Sequence, residues 1–150
     1  MMTTFQFALL FSGYAIASFV LHFAVAFTIA AAILYFFTLL PFYLLCLAYV
    51  ISWAVQHRGC AVRVRRWLLP AISVAQAIVL LSSPASCYGF KQGAACYSLL
   101  QAWVEGDAVR SFSQAPTHWS LMDPLFYGSL FGYGALLVAF LATLRPVRSP

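Results

Sequence analysis

Two cysteines that lie close together in the sequence are the residues best suited to chemistry. Cys87 and Cys96 enclose a segment that contains Gly89 and Gly93. Glycine permits the tight reversal that brings two Cα atoms within disulfide distance. The spacing therefore predicts a disulfide bond, provided that the segment lies in an oxidising compartment. We interpret the bond mainly as a structural crosslink, with a redox-active pair as the alternative, because catalytic disulfides are the strained or exposed minority.

A single histidine lies within the long apolar segment at the start of the chain. His22 is the only histidine or charged residue between Phe5 and Val55, and ionisable side chains at membrane depth are functional-site candidates. A lone imidazole can ligate haem or chlorophyll, although a neutral histidine hydrogen-bonded between helices is the commoner arrangement. His22 is therefore a candidate ligand. No motif supports contact with haem, chlorophyll or quinone, so no cofactor is predicted.

No catalytic residue and no metal site are predicted. His118, Ser120 and Asp123 contain the atoms of a hydrolytic triad, but triads are defined by geometry, and these residues also suit a loop end and a helix cap. Cys46 lies alone in an apolar segment and Cys60 in a basic one, and neither spacing resembles a zinc site. Phosphate-binding loops and dinucleotide fingerprints are absent from the sequence.

The elements that carry these residues must be membrane helices. The segment from Phe5 to Val55 contains no Lys, Arg, Asp or Glu and far exceeds the ~20 residues of a single bilayer span. Lipid cannot satisfy backbone polar groups, so such a segment must be helical. With 64% apolar and 7% charged residues, residues 1–150 are predicted to form one all-α membrane domain of four transmembrane helices.

The first apolar segment has to contain a turn. Our preferred position is Tyr35 to Phe42, where aromatic residues resemble an interfacial belt and Pro41 suits the first turn of a new helix. This division predicts spans from about Ser12 to Leu34 and from about Leu40 to Val55. A break near His22 to Thr28 is the main rival, and a single long first helix would leave a three-span protein.

The second half of the chain predicts two further spans and a loop helix. Trp67 to Leu81 is a short apolar segment, and Leu125 to Leu144 follows Asp123 as N-cap and Pro124 as first helical residue. Between them, apolar residues at helical spacing predict a short amphipathic helix in the outer loop, with the polar side chains of Ser98, Gln101 and Glu105 on its opposite face. Its predicted apolar face comprises Leu99, Leu100, Trp103 and Val104.

The charges predict the orientation of these spans. Six of the eight basic residues lie between the second and third spans or after the fourth: Arg58, Arg63, Arg65, Arg66, Arg145 and Arg148. The acidic residues all lie in the loop between the third and fourth spans. The positive-inside rule then places both termini in the cytoplasm and the loop from Cys87 to Asp123 in a periplasmic, lumenal or extracellular space.

The arginines of the connector also indicate the partners of the chain. A formal charge of +5 on a soluble protein would suggest nucleic acid, but here Arg58, Arg63, Arg65 and Arg66 flank membrane spans. We expect them to contact anionic lipid headgroups, and no nucleic acid is predicted.

Glycines in the last span predict a helix-packing surface. Gly128 and Gly132 form a G-x-x-x-G motif, with Gly134 beyond them. The missing side chains allow another helix to approach closely. That helix belongs either to the same monomer, or to a larger complex or a second copy of the chain.

The paired cysteines and the chain length give a limited resemblance. They are similar to the four-span thiol oxidases that transfer electrons from a periplasmic disulfide to quinone. Those enzymes also carry a C-x-x-C pair near the first outer loop, where this chain has only Cys46. The chain is therefore not assigned to that family.

The sequence favours a non-catalytic function. No Asp or Glu lies within a predicted span, which disfavours proton-coupled or cation-coupled transport. We expect an accessory subunit or assembly factor of a larger membrane complex, respiratory or photosynthetic, that packs through aromatic-rich and small-residue helix faces. The alternatives are a quinone-linked thiol-disulfide oxidoreductase that uses Cys87 and Cys96, and a small oligomeric channel or carrier.

Overall fold

The computed structural model describes residues 2–87, 96–110 and 116–147. This part of the chain is mainly helical, as predicted. Its helices are α1 (Thr4–Ala24), α2 (Ile29–Gln56), α3 (Leu68–Ser82), α4 (Leu99–Glu105) and α5 (Met122–Ala142), with a 3-10 helix at Gly106–Arg110. Five short strands lie before, between and after them: β1 (Met2–Thr3), β2 (Ala61–Arg63), β3 (Pro84–Ser86), β4 (Tyr97–Ser98) and β5 (Arg145–Val147).

Three helices of the described chain are long and apolar enough to cross a bilayer. They are α1 and α5, with 21 residues each, and α2, with 28 residues. Helix α3 is also apolar but has only 15 residues. Helices of this length and composition are typical of an integral membrane protein.

The preferred division of the first apolar segment was wrong. The chain turns between α1 and α2, within the rival range from His22 to Thr28, and Pro41 lies inside α2. Thr28 marks the turn, because its side chain accepts a hydrogen bond from the backbone of Ala31 as an N-cap. Proline is tolerated inside membrane helices. Tyr35 and Tyr43 are 0% and 2% exposed, so they belong to the core and not to an interfacial belt.

The predicted cap of the last helix was also wrong. Helix α5 begins at Met122, two residues after Ser120, and its N-cap Leu121 makes no side-chain cap hydrogen bond. Asp123 and Pro124 both lie in the first turn. A carboxylate there is stabilised by the partial positive charge of the helix N-terminus, and proline is tolerated because the first-turn N–H groups have no intrahelical partner.

The helices pack as two pairs around one core. Helix α1 packs mainly against α2, and α3 mainly against α5. Buried residues recur every three or four positions along α1 and α2, which is the spacing of one helix face. Aromatic rings fill much of the core, and Phe7 contacts Phe11, Trp53 and Phe140 with ring centroids 6.1 to 6.4 Å apart.

A small antiparallel sheet closes one end of the bundle, which we call the sheet end. Its strand order is β1-β2-β5, with Met2 opposite Val62 and Arg63 opposite Arg145. The beginning of the described chain, the connector after α2 and the segment after α5 therefore meet at this end.

The opposite end of the bundle, which we call the disulfide end, contains the α1–α2 turn, the β3–β4 pair, α4 and the 3-10 helix. The hydroxyl of Thr28 donates to the carbonyl of Pro84 at 3.3 Å, which joins the turn to β3. Strand β3 pairs with β4 in antiparallel orientation, and α4 follows directly. Cys87 lies immediately after β3 and Cys96 immediately before β4.

Candidate functional site

The apolar bundle contains a ring of hydrogen-bonded side chains. Residues from four helices contribute: Tyr14 and Ser18 of α1, Tyr43 of α2, Gln76 of α3 and Tyr133 of α5. The five distances are 2.7 Å for Ser18–Tyr43, Tyr43–Tyr133 and Tyr133–Tyr14, 3.2 Å for Tyr14–Gln76 and 2.9 Å for Gln76–Ser18. We call these five residues the polar ring.

The donors of the polar ring can be assigned from the chemistry of its members. The amide oxygen of Gln76 can only accept, so Tyr14 donates to it, and each hydroxyl has one hydrogen to give. Tyr133 must then donate to Tyr14, because the Tyr14 hydrogen is already used. For the same reason Tyr43 donates to Tyr133, and Ser18 donates to Tyr43. The amide N–H of Gln76 donates to Ser18. Every hydrogen bond of the ring thus runs in the same direction. Ser18 and Tyr133 also lie 3.0 Å apart, but neither has a hydrogen left for that contact.

The ring joins both helix pairs at the middle of the bundle. A hydroxyl or amide group that lacks a hydrogen-bond partner in lipid costs several kcal/mol of free energy, whereas a partner inside the bundle removes that cost. The hydrogen bonds of the ring therefore select the one rotation and height of each helix at which all five partners meet. The ring was not predicted from the sequence, where its only local signal is the i, i+4 spacing of Tyr14 and Ser18 in an otherwise apolar helix.

The candidate ligand His22 lies one turn beyond Ser18. Its Nδ1 is 2.7 Å from the backbone carbonyl of Ser18, and because a carbonyl only accepts, Nδ1 carries the hydrogen. Nε2 is then a bare acceptor with no hydrogen-bond partner among the described residues. The side chain is 0% exposed, with the rings of Tyr35 and Tyr133 at centroid distances of 5.4 and 5.8 Å. The imidazole is therefore fully enclosed by protein atoms in this arrangement.

The predicted disulfide is present. Cys87 and Cys96 are bonded, with their Cα atoms 4.4 Å apart. Cys87 also lines a cavity of about 940 Å³ at the disulfide end, between the α1–α2 turn and α4. The walls of this cavity, which we call the disulfide groove, are mainly apolar and include Phe27, Ile29, Leu99 and Trp103.

Helix α4 does not expose the whole of its predicted polar face. Gln101 is 0% exposed, whereas Trp103 and Val104 of the predicted apolar face are 70% and 65% exposed. The Gln101 side chain donates to the carbonyl of Thr117 at 2.8 Å and accepts from the backbone of Trp119 at 3.2 Å. Gln101 thereby joins α4 to the segment that leads into α5.

A second side chain attaches the same segment. Tyr97 is 1% exposed, and its hydroxyl donates to the carbonyl of Pro116 at 2.8 Å. Burial raises the pKa of the Tyr97 phenol above its ordinary value, and the nearby Glu105 carboxylate raises it further. The hydroxyl therefore stays protonated and remains a donor at neutral pH.

The glycines of α5 face two directions. A Cβ added to Gly134 would lie 3.8 Å from the ring of Phe42, so Gly134 faces α2. A Cβ added to Gly128 or Gly132 would meet no atom within 4 Å among the described residues. The G-x-x-x-G motif therefore points away from the described bundle.

The arginines of the connector are exposed at the sheet end. Arg58, Arg63, Arg65 and Arg66 all have exposed side chains. In the described part of the chain, the one ion pair with a carboxylate joins His118 and Asp123 at the other end, with Nε2 3.6 Å from Oδ1. The two ends thus differ in charge, because the four connector arginines and Arg145 lie at the sheet end, whereas all three acidic residues lie at the disulfide end together with Arg110.

These features define a helical protein with the properties of a membrane protein, a buried polar ring and a disulfide at one end. Comparison with protein-family models, with curated proteins and with solved structures finds no match to the chain.

Proposed function

We propose that the chain is a multi-pass membrane protein with four spans, α1, α2, α3 and α5. The support is that both helix pairs run between the same two ends and that the arginines concentrate at the sheet end. The positive-inside rule then assigns the sheet end and both termini to the cytoplasm. The disulfide end lies in the periplasm, a lumen or the extracellular space, where the Cys87–Cys96 bond persists.

Within that membrane, the proposed function is that of a non-catalytic subunit or assembly factor of a larger protein complex. The observation that carries this proposal is the outward orientation of Gly128 and Gly132. Ala135 and Ala139 continue the same face at helical spacing and are exposed. Contact with lipid does not require small side chains, whereas close approach of another helix does.

The polar ring supports the same proposal. The hydroxyl and amide groups of the ring use one another as partners inside the bundle. The outer faces of α1, α2 and α5 are therefore left with mainly apolar side chains and the small-residue face of α5. Such surfaces suit packing against the helices of other subunits, with van der Waals contact as the main contribution.

Purification in mild detergent tests this proposal. Wild-type protein from its native membrane should co-purify with other membrane subunits, and Gly128→Leu should reduce the yield of that complex severalfold. The matched control is Val138→Leu, because Val138 is 54% exposed on the same helix but lies outside the small-residue face. Recovery of wild-type monomer alone would overturn the proposal, and a complex that contains only this chain would replace it with a homo-oligomer.

A second candidate function is supported by the disulfide groove. Because Cys87 lines an apolar cavity next to Trp103 and Phe27, a flat lipid-soluble oxidant such as a quinone could approach its sulfur. In that reaction the two cysteine thiols would together lose two electrons and two protons as the S–S bond forms. The quinone would take up these two electrons and two protons to become a quinol.

The quinone reaction is tested on fully reduced protein. Addition of a water-soluble quinone analogue should restore the disulfide and yield one quinol per bond formed, and Trp103→Ala should slow the reaction. Thiols that remain free in the presence of quinone would exclude this function and would leave the subunit proposal unaffected.

A further inference from the structure

A second groove lies at the sheet end, between the beginning of α1 and the end of α2. Its volume is about 600 Å³, and its walls are formed mainly by apolar side chains. On the α1 side these are Phe5, Ala8 and Leu9, and on the α2 side Ile51, Ala54 and Val55. The hydroxyl of Ser12, which also lines the groove, donates to the carbonyl of Ala8 at 2.8 Å and so needs no partner in the groove.

The mouth of this groove is polar and cationic. Thr3, Thr4, Arg58 and Gly59 form it. Arg58 is exposed, and no ion pair joins it to a carboxylate in the described residues, since Glu105, Asp107 and Asp123 belong to the disulfide end. An apolar cavity that opens beside an unpaired guanidinium complements a molecule with an apolar body and an anionic head.

The mouth is held in place by backbone contacts. The N–H of Thr4 donates to the carbonyl of Cys60 at 3.1 Å, and the Thr4 hydroxyl donates to the carbonyl of His57 at 3.2 Å. Between those two acceptors, Gly59 has φ of +81°, a conformation that side chains other than glycine rarely adopt. The groove is thus preformed by the contact between the start of α1 and the turn that follows α2.

The adjoining sheet provides a separate argument for an anion at this end. Arg63 and Arg145 are direct partners across the antiparallel pair β2–β5. Like charges directly opposite one another on neighbouring strands destabilise the pair. An anionic surface at this end would neutralise that repulsion, and anionic phospholipids provide such a surface at the cytoplasmic leaflet.

We propose that the groove binds one anionic phospholipid, with an acyl chain against Ala8, Leu9, Ala54 and Val55 and the phosphate beside Arg58. The dimensions of an acyl chain suit a groove between two membrane helices that is open to the bilayer. The small side chains of Ala8 and Ala54 leave space for the chain. At the mouth, the Thr3 hydroxyl accepts from the backbone of Gln6 and so keeps its own hydrogen to donate to the headgroup. This site does not depend on the proposed partner complex, because it is formed by α1, α2 and their connector alone.

Native mass spectrometry of the purified full-length chain tests the proposal. The probes are phosphatidylglycerol and phosphatidylcholine with identical acyl chains, and glycerol phosphate, which has the head without the chains. Wild-type protein should retain one phosphatidylglycerol molecule in preference to phosphatidylcholine, and excess glycerol phosphate should not displace it. Equal retention of the two lipids would overturn the anionic preference, and displacement by glycerol phosphate would overturn the acyl-chain contact.

Two arginine variants locate the site. Arg58→Gln should weaken retention of phosphatidylglycerol about fivefold, the effect of one basic residue at a membrane surface, and should leave phosphatidylcholine unchanged. Arg66→Gln is the matched control, because Arg66 is exposed in the same connector but does not line the groove. An equal loss in both variants would show diffuse attraction to the basic end and would overturn a specific site. Ala54→Phe should reduce retention of both lipids, and unchanged retention would contradict the acyl-chain path.

Discussion

The hydroxyl of Tyr133 donates a hydrogen bond to the hydroxyl of Tyr14 at 2.7 Å, across 119 positions of the chain. This contact joins the first helix to the last and closes the polar ring. Tyr133 also accepts from Tyr43, so a single phenol connects α5 to both α1 and α2. In lipid, where apolar side chains gain little from facing one another, such polar contacts contribute much of the specificity of helix packing.

Tyr133→Phe should therefore destabilise the bundle. The change removes the donor to Tyr14 and the acceptor for Tyr43, and hydrogen bonds between membrane helices contribute ~0.6 to 2 kcal/mol each. We expect the free energy of unfolding in detergent to fall by about 1 to 3 kcal/mol. Tyr127→Phe is the control, because Tyr127 lies on the same helix and is 54% exposed. Equal free energies of unfolding for the two variants would show that the polar ring does not stabilise the bundle.

Replacement of both Cys87 and Cys96 by alanine should lower stability without preventing membrane insertion. A loop of this length loses ~2 to 3 kcal/mol of stabilisation when its crosslink is removed. Thermal unfolding of the double variant should be compared with that of Cys60→Ala, since Cys60 is a free, half-buried cysteine. Mass spectrometry after alkylation in the native membrane provides a direct check, and two free thiols at positions 87 and 96 would contradict a structural crosslink.

Gln101→Leu should release the segment before α5 from α4. The Gln101 side chain is the partner of the Thr117 carbonyl and of the Trp119 N–H, and a leucine leaves both without it. Hydrogen exchange of Trp119 should accelerate, while exchange in the middle of α5 stays unchanged. Trp103→Leu serves as the control because Trp103 is 70% exposed on the same short helix. Unchanged protection of Trp119 in Gln101→Leu would refute the anchoring role.

The proposed orientation is tested with single cysteines in a background that lacks the free cysteines Cys46 and Cys60. Gln56→Cys at the sheet end should react with a membrane-impermeant maleimide only after the membrane is opened, and Asp107→Cys at the disulfide end should react in intact cells. Both native residues are exposed, so accessibility reports the side of the membrane. Labelling of Gln56→Cys in intact cells would reverse the assignment, which depends on the arginine distribution.

Part of this architecture could be predicted because it depends on composition and short-range spacing. A segment from Phe5 to Val55 without a charged residue indicates membrane helices, whatever the rest of the chain does. The disulfide was predictable because a short glycine-containing segment keeps Cys87 and Cys96 close even before folding. The extent of α3 was predicted to within one residue at each end, since Arg66 and Ser83 bound it on either side.

The turn between the first two helices shows where such reasoning fails. From the sequence alone, Pro41 predicts the start of a new helix. Instead the chain turns at Thr28, and α2 continues through Pro41. Membrane helices tolerate proline, and a threonine cap is worth only about 1 kcal/mol. The position of the turn follows instead from packing that places Tyr35 and Tyr43 in the core.

Only the tertiary structure determined which faces point inward and which polar groups meet. A helix that is apolar on every side has no amphipathic pattern, so the sequence does not distinguish its buried face from its exposed one. The sequence does not show which way each glycine of the last helix faces, yet Gly128 faces outward and Gly134 faces Phe42. The polar ring combines five residues separated by up to 119 positions, and its partners become apparent only after α1, α2, α3 and α5 have packed, because long-range contacts depend on the whole arrangement of helices.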